Sequence, residues 1–485
     1  MRATASTAAV SSPSEPSPFR YLQVADQLAQ ELRDGRHAAG ARLPSVRSLC
    51  ERHAASLATV THALHRLEDA GLIEARPRLG FFARAIAPAT APKTAPARAR
   101  HPHALDRRRE RLMALAASQD ELLSLGHLAL PDDLLPLSTL RRLAQARLRG
   151  ESNAWVGGSV AGSPSLRAAL AARLSQRGCE VGDDDLVVTH GEGESLQLCL
   201  RELTRPGDRV AVTRPVPLRA LDVLHSMRLE MVELPAAADG HEVATALAER
   251  LRTAPIAACI ANVALSAASG THWSSSACDA LVSTCGRHGL PLIDCDLLGE
   301  LPIGIDATLP LKAFDRDDRV LHCGSLACVT GTGLSVGWIA SGRHRLQMRA
   351  ARAVHGELLP ALTDQVLTDF LSGEAIDRHL RRLRRQLGRR VRAWRAAALD
   401  CFPAGTTVAH GPFGHQLWVT LPEGISALEL LARARAFAIN FVPGPVFTSG
   451  SDFDRCLRLT AGHALDERRS TALRLLGELA SALIP

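Results

Sequence analysis

Between residues 19 and 84 apolar positions recur three times at helical spacing and then shorten to strand spacing. FRYLQVADQLAQELRDG places Leu22, Ala25, Leu28, Ala29 and Leu32 on one helical face, and Gly35 stops the helix. LPSVRSLCERHA predicts a short second helix, with Pro44 in its first turn and Ser45 near its cap. SLATVTHALHRLEDAG predicts a third helix. Ser56 is its N-cap, Val60, Ala63, Leu64 and Leu67 form its buried stripe, and Gly71 ends it. LIEARPRLGFFAR reads as two short strands around a Pro/Gly turn, a β-wing. Before this block, residues 1–18 read as a disordered tail. After it, the Ala/Pro/Arg-rich composition of residues 85–115 cannot build a core and reads as an extended linker.

From residue 116 to 350 strand-like and helix-like segments alternate. The strand candidates are DLVVTH, RVAVTRP, IAACIANVAL, LPLIDCD, RVLHCGSL and VGWIAS, separated by stretches such as SPSLRAALAARLSQRG and SSACDALVSTCGRHG. Such alternation implies a mainly parallel sheet covered by helices. From 351 to 485 a long helical stretch leads into mixed strand and helix. Its segment 378–392 carries Leu380, Leu383, Leu387 and Val391 on one stripe and a dense row of arginines elsewhere. The expected fold is multidomain. An N-terminal winged helix-turn-helix of α+β type precedes an α/β body with a smaller C-terminal α+β subdomain.

Charge sharpens the picture. Residues 1–111 hold 18 Lys+Arg against 10 Asp+Glu, a net of +8, whereas residues 112–485 hold 39 against 40, a net of −1. A positive excess confined to one end suggests a polyanion as partner. No apolar run approaches the ~20 residues of a membrane span, and the N-terminus lacks a signal-peptide core, so the expectation is a cytoplasmic protein without membrane contact. None of the eleven cysteines forms a C-x-x-C pair, and no histidine pair has metal-ligand spacing. The only lysines are Lys93 and Lys312, and the only tyrosine is Tyr21.

Tyr21 and Gln23, the run Leu43-Pro44-Ser45-x-Arg47-x-Leu49, Ser56-x-x-Thr59-Val60, Leu67-Glu68-x-x-Gly71-Leu72-Ile73 and Gly80 together resemble the DNA-binding domain of the GntR transcription regulators. The resemblance implies that the third helix enters the major groove of double-stranded DNA, with Ser56, Thr59 and His62 facing base edges. Arg47 is expected on phosphate or base, and the wing residues Arg76 and Arg78 on backbone or minor groove. Many relatives carry a polar or basic residue where this chain has Leu57, so one expected contact is missing.

The body resembles a fold-type I aminotransferase, which with a GntR-type domain makes the MocR subfamily. The stretches carrying the likeness include GSPSLRAALAARLSQRG, VVTHGEGESLQL, RPGDRVAV, LPLIDCDLLGEL, VLHCGSLACVTGTGLSVGWI, PFGHQLWVTLP, FVPGPVF and LRLT, in the family's order. The family's cofactor, pyridoxal phosphate, needs a lysine for covalent attachment and an aspartate on its pyridine nitrogen. It also needs a stacking aromatic ring, a tyrosine, an asparagine and a phosphate-binding arginine. By the resemblance, Cys328 stands at the lysine, Cys295 at the aspartate, Leu297 at the tyrosine, Ala267 at the asparagine, Pro217 at the aromatic ring and Ser335 at the arginine. A one-residue slip would offer Asp294 or Asp296 instead of Cys295, although both lie on the opposite strand face. Glu192, between Gly191 and Gly193, places a negative charge in the phosphate cradle. Gly191, Ser325, Cys295, Cys328 and Arg458 are the expected remnants of the site. Arg458 matches the arginine that clamps a substrate carboxylate, with an internal salt bridge as the plainer reading. Cys295, Cys323 and Cys328 lie near neighbouring strand ends and are candidates to meet in the old cleft. The expectation is therefore a DNA-binding transcription regulator and not an enzyme. Its body would dimerise, hold no covalent cofactor, and possess a cleft for a small carboxylate or phosphate effector. The alternatives are a pyridoxal-phosphate-dependent aminotransferase and a sensor that holds this cofactor non-covalently.

Overall fold

The computed structural model describes residues 20–33, 36–69, 71–76, 79–84, 122–150, 155, 158–236, 240–269, 273–303, 309–450 and 452–484. The chain divides into two compact units, residues 1–101 and 102–485. In the first, α1 (Arg20–Arg33), α2 (Val46–His53) and α3 (Leu57–Asp69) precede a hairpin of β1 (Ile73–Arg76) and β2 (Gly80–Ala83). The core is the one the periodicity marks out: Ala25, Leu28, Ala29 and Leu32 of α1 meet Val60, Ala63, Leu64 and Leu67 of α3. Ser45 is the N-cap of α2, accepting from Ser48 N at 3.2 Å, so Pro44 lies just outside the helix rather than in its first turn. The hairpin register pairs Ile73 with Ala83 and Arg76 with Gly80. Gly71, at φ +68°, supplies the left-handed residue after α3. Gly35 and Arg78 lie outside the described residues, as do residues 1–18 and the linker.

The second unit is built on seven strands. These are β3 (Leu186–Thr189), β4 (Arg209–Val212), β5 (Glu230–Glu233), β6 (Ala258–Ala261), β7 (Leu292–Asp296), β8 (Val320–Ser325) and β9 (Gly337–Ala340). Their order is β3-β9-β8-β7-β6-β4-β5, and only β9 runs antiparallel to its neighbours. Helices cover the sheet, so the inner strands read as continuous apolar runs buried on both faces. The six expected strands are present, and IAACIANVAL turns helical after Ala261, at Val263–Ala268. The edge strand β5, Glu-Met-Val-Glu, lies outside the expected set. It has one neighbour and alternates in burial, so its apolar signal is diluted.

Three helices frame the cleft at the carboxyl ends of these strands. Ser163 caps α4 (Pro164–Gln176), accepting from Leu166 N at 3.1 Å with Pro164 in the first turn. α5 (Glu192–Leu203) comes after β3, and the one-turn α6 (Ala327–Thr330) after β8. The long α7 (Glu374–Cys401) serves two cores: Leu380, Leu383 and Leu387 pack with α4 and the main sheet, Val391 and Trp394 with the C-terminal sheet. That second sheet is antiparallel and four-stranded, in the order Thr407–Ala409, β10 (Gln416–Thr420), β11 (Cys456–Thr460), Val442–Pro443. Leu123–Ser124 pairs with Ile439–Asn440, which carries the beginning of the body onto the C-terminal part and sets Gly126 beside β11.

Candidate functional site

The first candidate surface is the start of α3. Ser56 Oγ accepts from Thr59 N at 3.2 Å and lies 2.8 Å from Thr59 Oγ1, so the two hydroxyls cap the helix together. Leu57, Ala58 and His62 are exposed beside them. The His62 ring sits 4.3 Å from that of Tyr21. Arg47 is 94% exposed, with Glu51 4.0 Å away at the following turn of α2. On the wing, the Arg76 guanidinium stands 4.5 Å over the Phe82 ring. Arg47, Ser56, Thr59, His62 and Arg76 thus all lie on exposed or half-buried parts of the first unit.

The second candidate is the cleft at the carboxyl ends of β7 and β8. Parallel register pairs Asp294 with His322 and Cys295 with Cys323, so the carboxylates and the thiols occupy opposite faces of the sheet. On one face, His322 Nδ1 lies 2.9 Å from Asp294 Oδ2, and its Nε2 is 3.8 Å from Asp296 and has no hydrogen-bond partner among the described residues. Asp296 pairs with Arg177. Burial alone would raise the pKa of Asp296, but the Arg177 and His322 charges hold it below the usual carboxylate range. A Cβ at Gly299 would meet the Asp296 carboxylate and the Arg177 guanidinium, so a larger residue there would push this pair aside. Asp294 and Asp296 are therefore committed to this network. Next to it, Arg173 joins Glu300 at 2.9 Å and Asp377 at 3.0 Å, tying α4 to α7. No sequence pattern marks His322 or the two arginines, because only the strand register and the turn of α4 bring them to the carboxylates.

On the other face, Cys295 and Cys323 share a core with Cys199, whose Sγ is 3.7 Å from that of Cys323. Cys328 sits in a different cluster with Val329 and Leu326, so the three cysteines do not meet in one cleft. Burial, and secondarily the charge of Glu192, push the Cys328 thiol up to about 12. Such thiols are inert packing at neutral pH. Gly191 is the residue before α5, and Glu192 opens that helix. Burial, then the nearby Asp296, raise Glu192 to about 7 against the opposing pull of Arg219. Ser325 is buried; its Oγ donates to Val336 O at 3.3 Å and accepts from Ala327 N at 3.1 Å. The only lysine of the body, Lys312, is buried with its ammonium 2.8 Å from Asp315 and 3.2 Å from Asp318. These groups do not fit pyridoxal phosphate: the amine is bound elsewhere, and the thiols cannot protonate or charge a pyridine. The space bordered by Arg177, Cys295, Asp296 and Phe413 is about 10 Å³, about the size of one water.

Arg458, on β11, is 7% exposed. It donates through Nη2 to Gly126 O at 3.0 Å and faces the Phe447 ring at 5.2 Å. Its Nε is buried without a partner, and among the described residues no carboxylate forms an ion pair with it. The internal salt bridge of the plainer reading is absent there. Burial lowers its pKa to about 10. Among the described residues no cluster of three or more metal-ligating side chains exists, and no helix is long and apolar enough to cross a membrane.

A three-helix winged unit followed by a seven-stranded sheet of this order defines a class: a helix-turn-helix protein with a fold-type I aminotransferase-like body. The family model for bacterial regulatory proteins of the gntR family matches residues 20–83. The HTH-type transcriptional regulator YdcR of Escherichia coli is 33% identical over 95% of this chain and 98% of its own length. MocR of Rhizobium meliloti, a probable rhizopine catabolism regulatory protein, is 25% identical over 87% of this chain and 86% of its own. The chain belongs to the GntR-type transcription regulators of the MocR kind. Its body superposes on the multiple substrate aminotransferase of Thermococcus profundus with a TM-score of 0.70, at 22% identity over 77% of this chain and 94% of the other. That likeness shows the fold.

Proposed function

We propose that the regulator binds double-stranded operator DNA by inserting the start of α3 into the major groove. Ser56, Thr59 and His62 then lie against base edges, Arg47 against phosphate or base, and Arg76 and Arg78 of the wing against the backbone or minor groove. The observation that carries this reading is the exposed, capped third helix within the stretch that holds the whole positive excess. The body pairs with a second copy, as the resemblance implies, so two half-sites are expected. A chromosomal target places the protein in the cytoplasm.

The body is proposed to work without covalent pyridoxal phosphate and without transamination, because no free amine stands at the Cys328 position. Its remaining recognition element is Arg458, whose guanidinium has no carboxylate partner among the described residues and suits a small carboxylate or phosphate effector. Gel shifts with the DNA upstream of its own gene, over a salt series, test the first reading. Binding that weakens steeply with salt is expected; no shift at micromolar protein in low salt would defeat it.

A further inference from the structure

The face that α3 presents is unusual in its chemistry. Its buried stripe is Val60, Ala63, Leu64 and Leu67. On the other side of the first two turns stand Leu57, Ala58, Thr61 and His62. Leu57 is 66% exposed and takes no part in the core of the unit. From 57 to 64 the helix reads LATVTHAL, without Arg, Lys, Asn, Gln, Asp or Glu. It therefore lacks the bidentate side chains that read guanine or adenine. The polar groups nearby are partly engaged, since Ser56 and Thr59 bond each other and His62 lies on Tyr21. The leading turn is left with the Leu57 side chain and the methyl groups of Ala58 and Thr61.

The apolar feature of a base edge in the major groove is the thymine 5-methyl group. We propose that Leu57, with Ala58 and Thr61, reads thymine methyls, so that each operator half-site carries thymine where the leading turn of α3 enters the groove. This rests on the DNA-binding role of α3 proposed above. The surroundings favour DNA over an apolar protein partner, because the exposed Arg47 stands on the preceding helix and the unit's net charge is positive. Leu57 thus acts as a specificity element, while the arginines supply sequence-independent affinity.

The test uses the full-length protein and a duplex selected by it from a random pool. Each thymine is replaced in turn by deoxyuridine, which removes the 5-methyl group alone, and binding is followed by fluorescence anisotropy at fixed salt. At one or two positions per half-site the replacement is expected to weaken the unaltered protein about three- to fivefold, the value of one buried methyl. Leu57→Ala is expected to bind the thymine and uracil duplexes alike and to keep the salt slope, because its exposed position leaves the core untouched. Indifference of the unaltered protein to every replacement, or equal sensitivity of Leu57→Ala, would overturn the proposal while leaving DNA binding intact. Failure of the pool to enrich any salt-sensitive binder would instead remove the DNA-binding reading and this inference with it.

Discussion

Two buried arginines of the body solve opposite electrostatic problems. Arg173 is matched by Glu300 and Asp377, so removing a partner strands a charge in the interior. Glu300→Gln is expected to cost about 3 kcal/mol in urea unfolding. Among the described residues Arg458 has no carboxylate to strand, and Arg458→Met keeps most of its apolar stem, so a change within about 1 kcal/mol is expected. An equal loss from both substitutions would make Arg458 a structural residue rather than a recognition element. Glu192 adds a pH dependence. Its folded value, about 7, lies above the ordinary 4.5, so the folded protein holds this proton longer than the unfolded chain. The stabilising contribution is complete below about pH 4.5 and is lost as pH rises through 7. Glu192→Gln, fixed in the neutral form, is expected to have a melting temperature that falls less from pH 5 to 8 and to exceed the parent at pH 8. Parallel curves would show that Glu192 carries no such linkage. The place of Glu192 between two glycines at the start of α5 was legible in the order Gly191-Glu192-Gly193; its neighbours Asp296 and Arg219 were not, since they come from distant elements.

At the scale of elements, α3 depends on its cap. Ser56→Ala removes the acceptor for Thr59 N and is expected to cost about 1 kcal/mol in the winged unit. Ser56→Asp caps as well but sets a negative charge toward phosphate. It is expected to melt like the parent and bind DNA at least tenfold more weakly, measured by circular dichroism and anisotropy. Retained affinity in Ser56→Asp would move the proposed interface away from this turn. The helices and wing were readable because caps, stops and stripes are local. Likewise, the continuous apolar runs of β3, β6 and β8 announced buried strands. The strand β5 gave no such signal, because Glu230 and Glu233 at its two ends interrupt the apolar pattern and only Val232 is buried.

At the scale of the whole molecule, the absence of a free amine in the body yields a direct test. After incubation with pyridoxal phosphate and borohydride, mass spectrometry of the body is expected to find no pyridoxyl adduct at Lys312, which two aspartates hold in the interior. An adduct there, with turnover of an amino acid, would restore the enzymatic reading. The winged unit, the alternating body, the uneven charge and a body with a single lysine were readable from the amino-acid sequence, because composition and periodicity encode local preference and inventory. Which groups face each other was fixed by long-range packing and strand register. Register separated the aspartates from the thiols, packing set Cys328 apart from Cys295 and Cys323, and the crossing of Gly126 beside β11 gave the buried Arg458 a backbone carbonyl as its partner. Those outcomes depend on contacts between residues far apart in the chain, which no local pattern records.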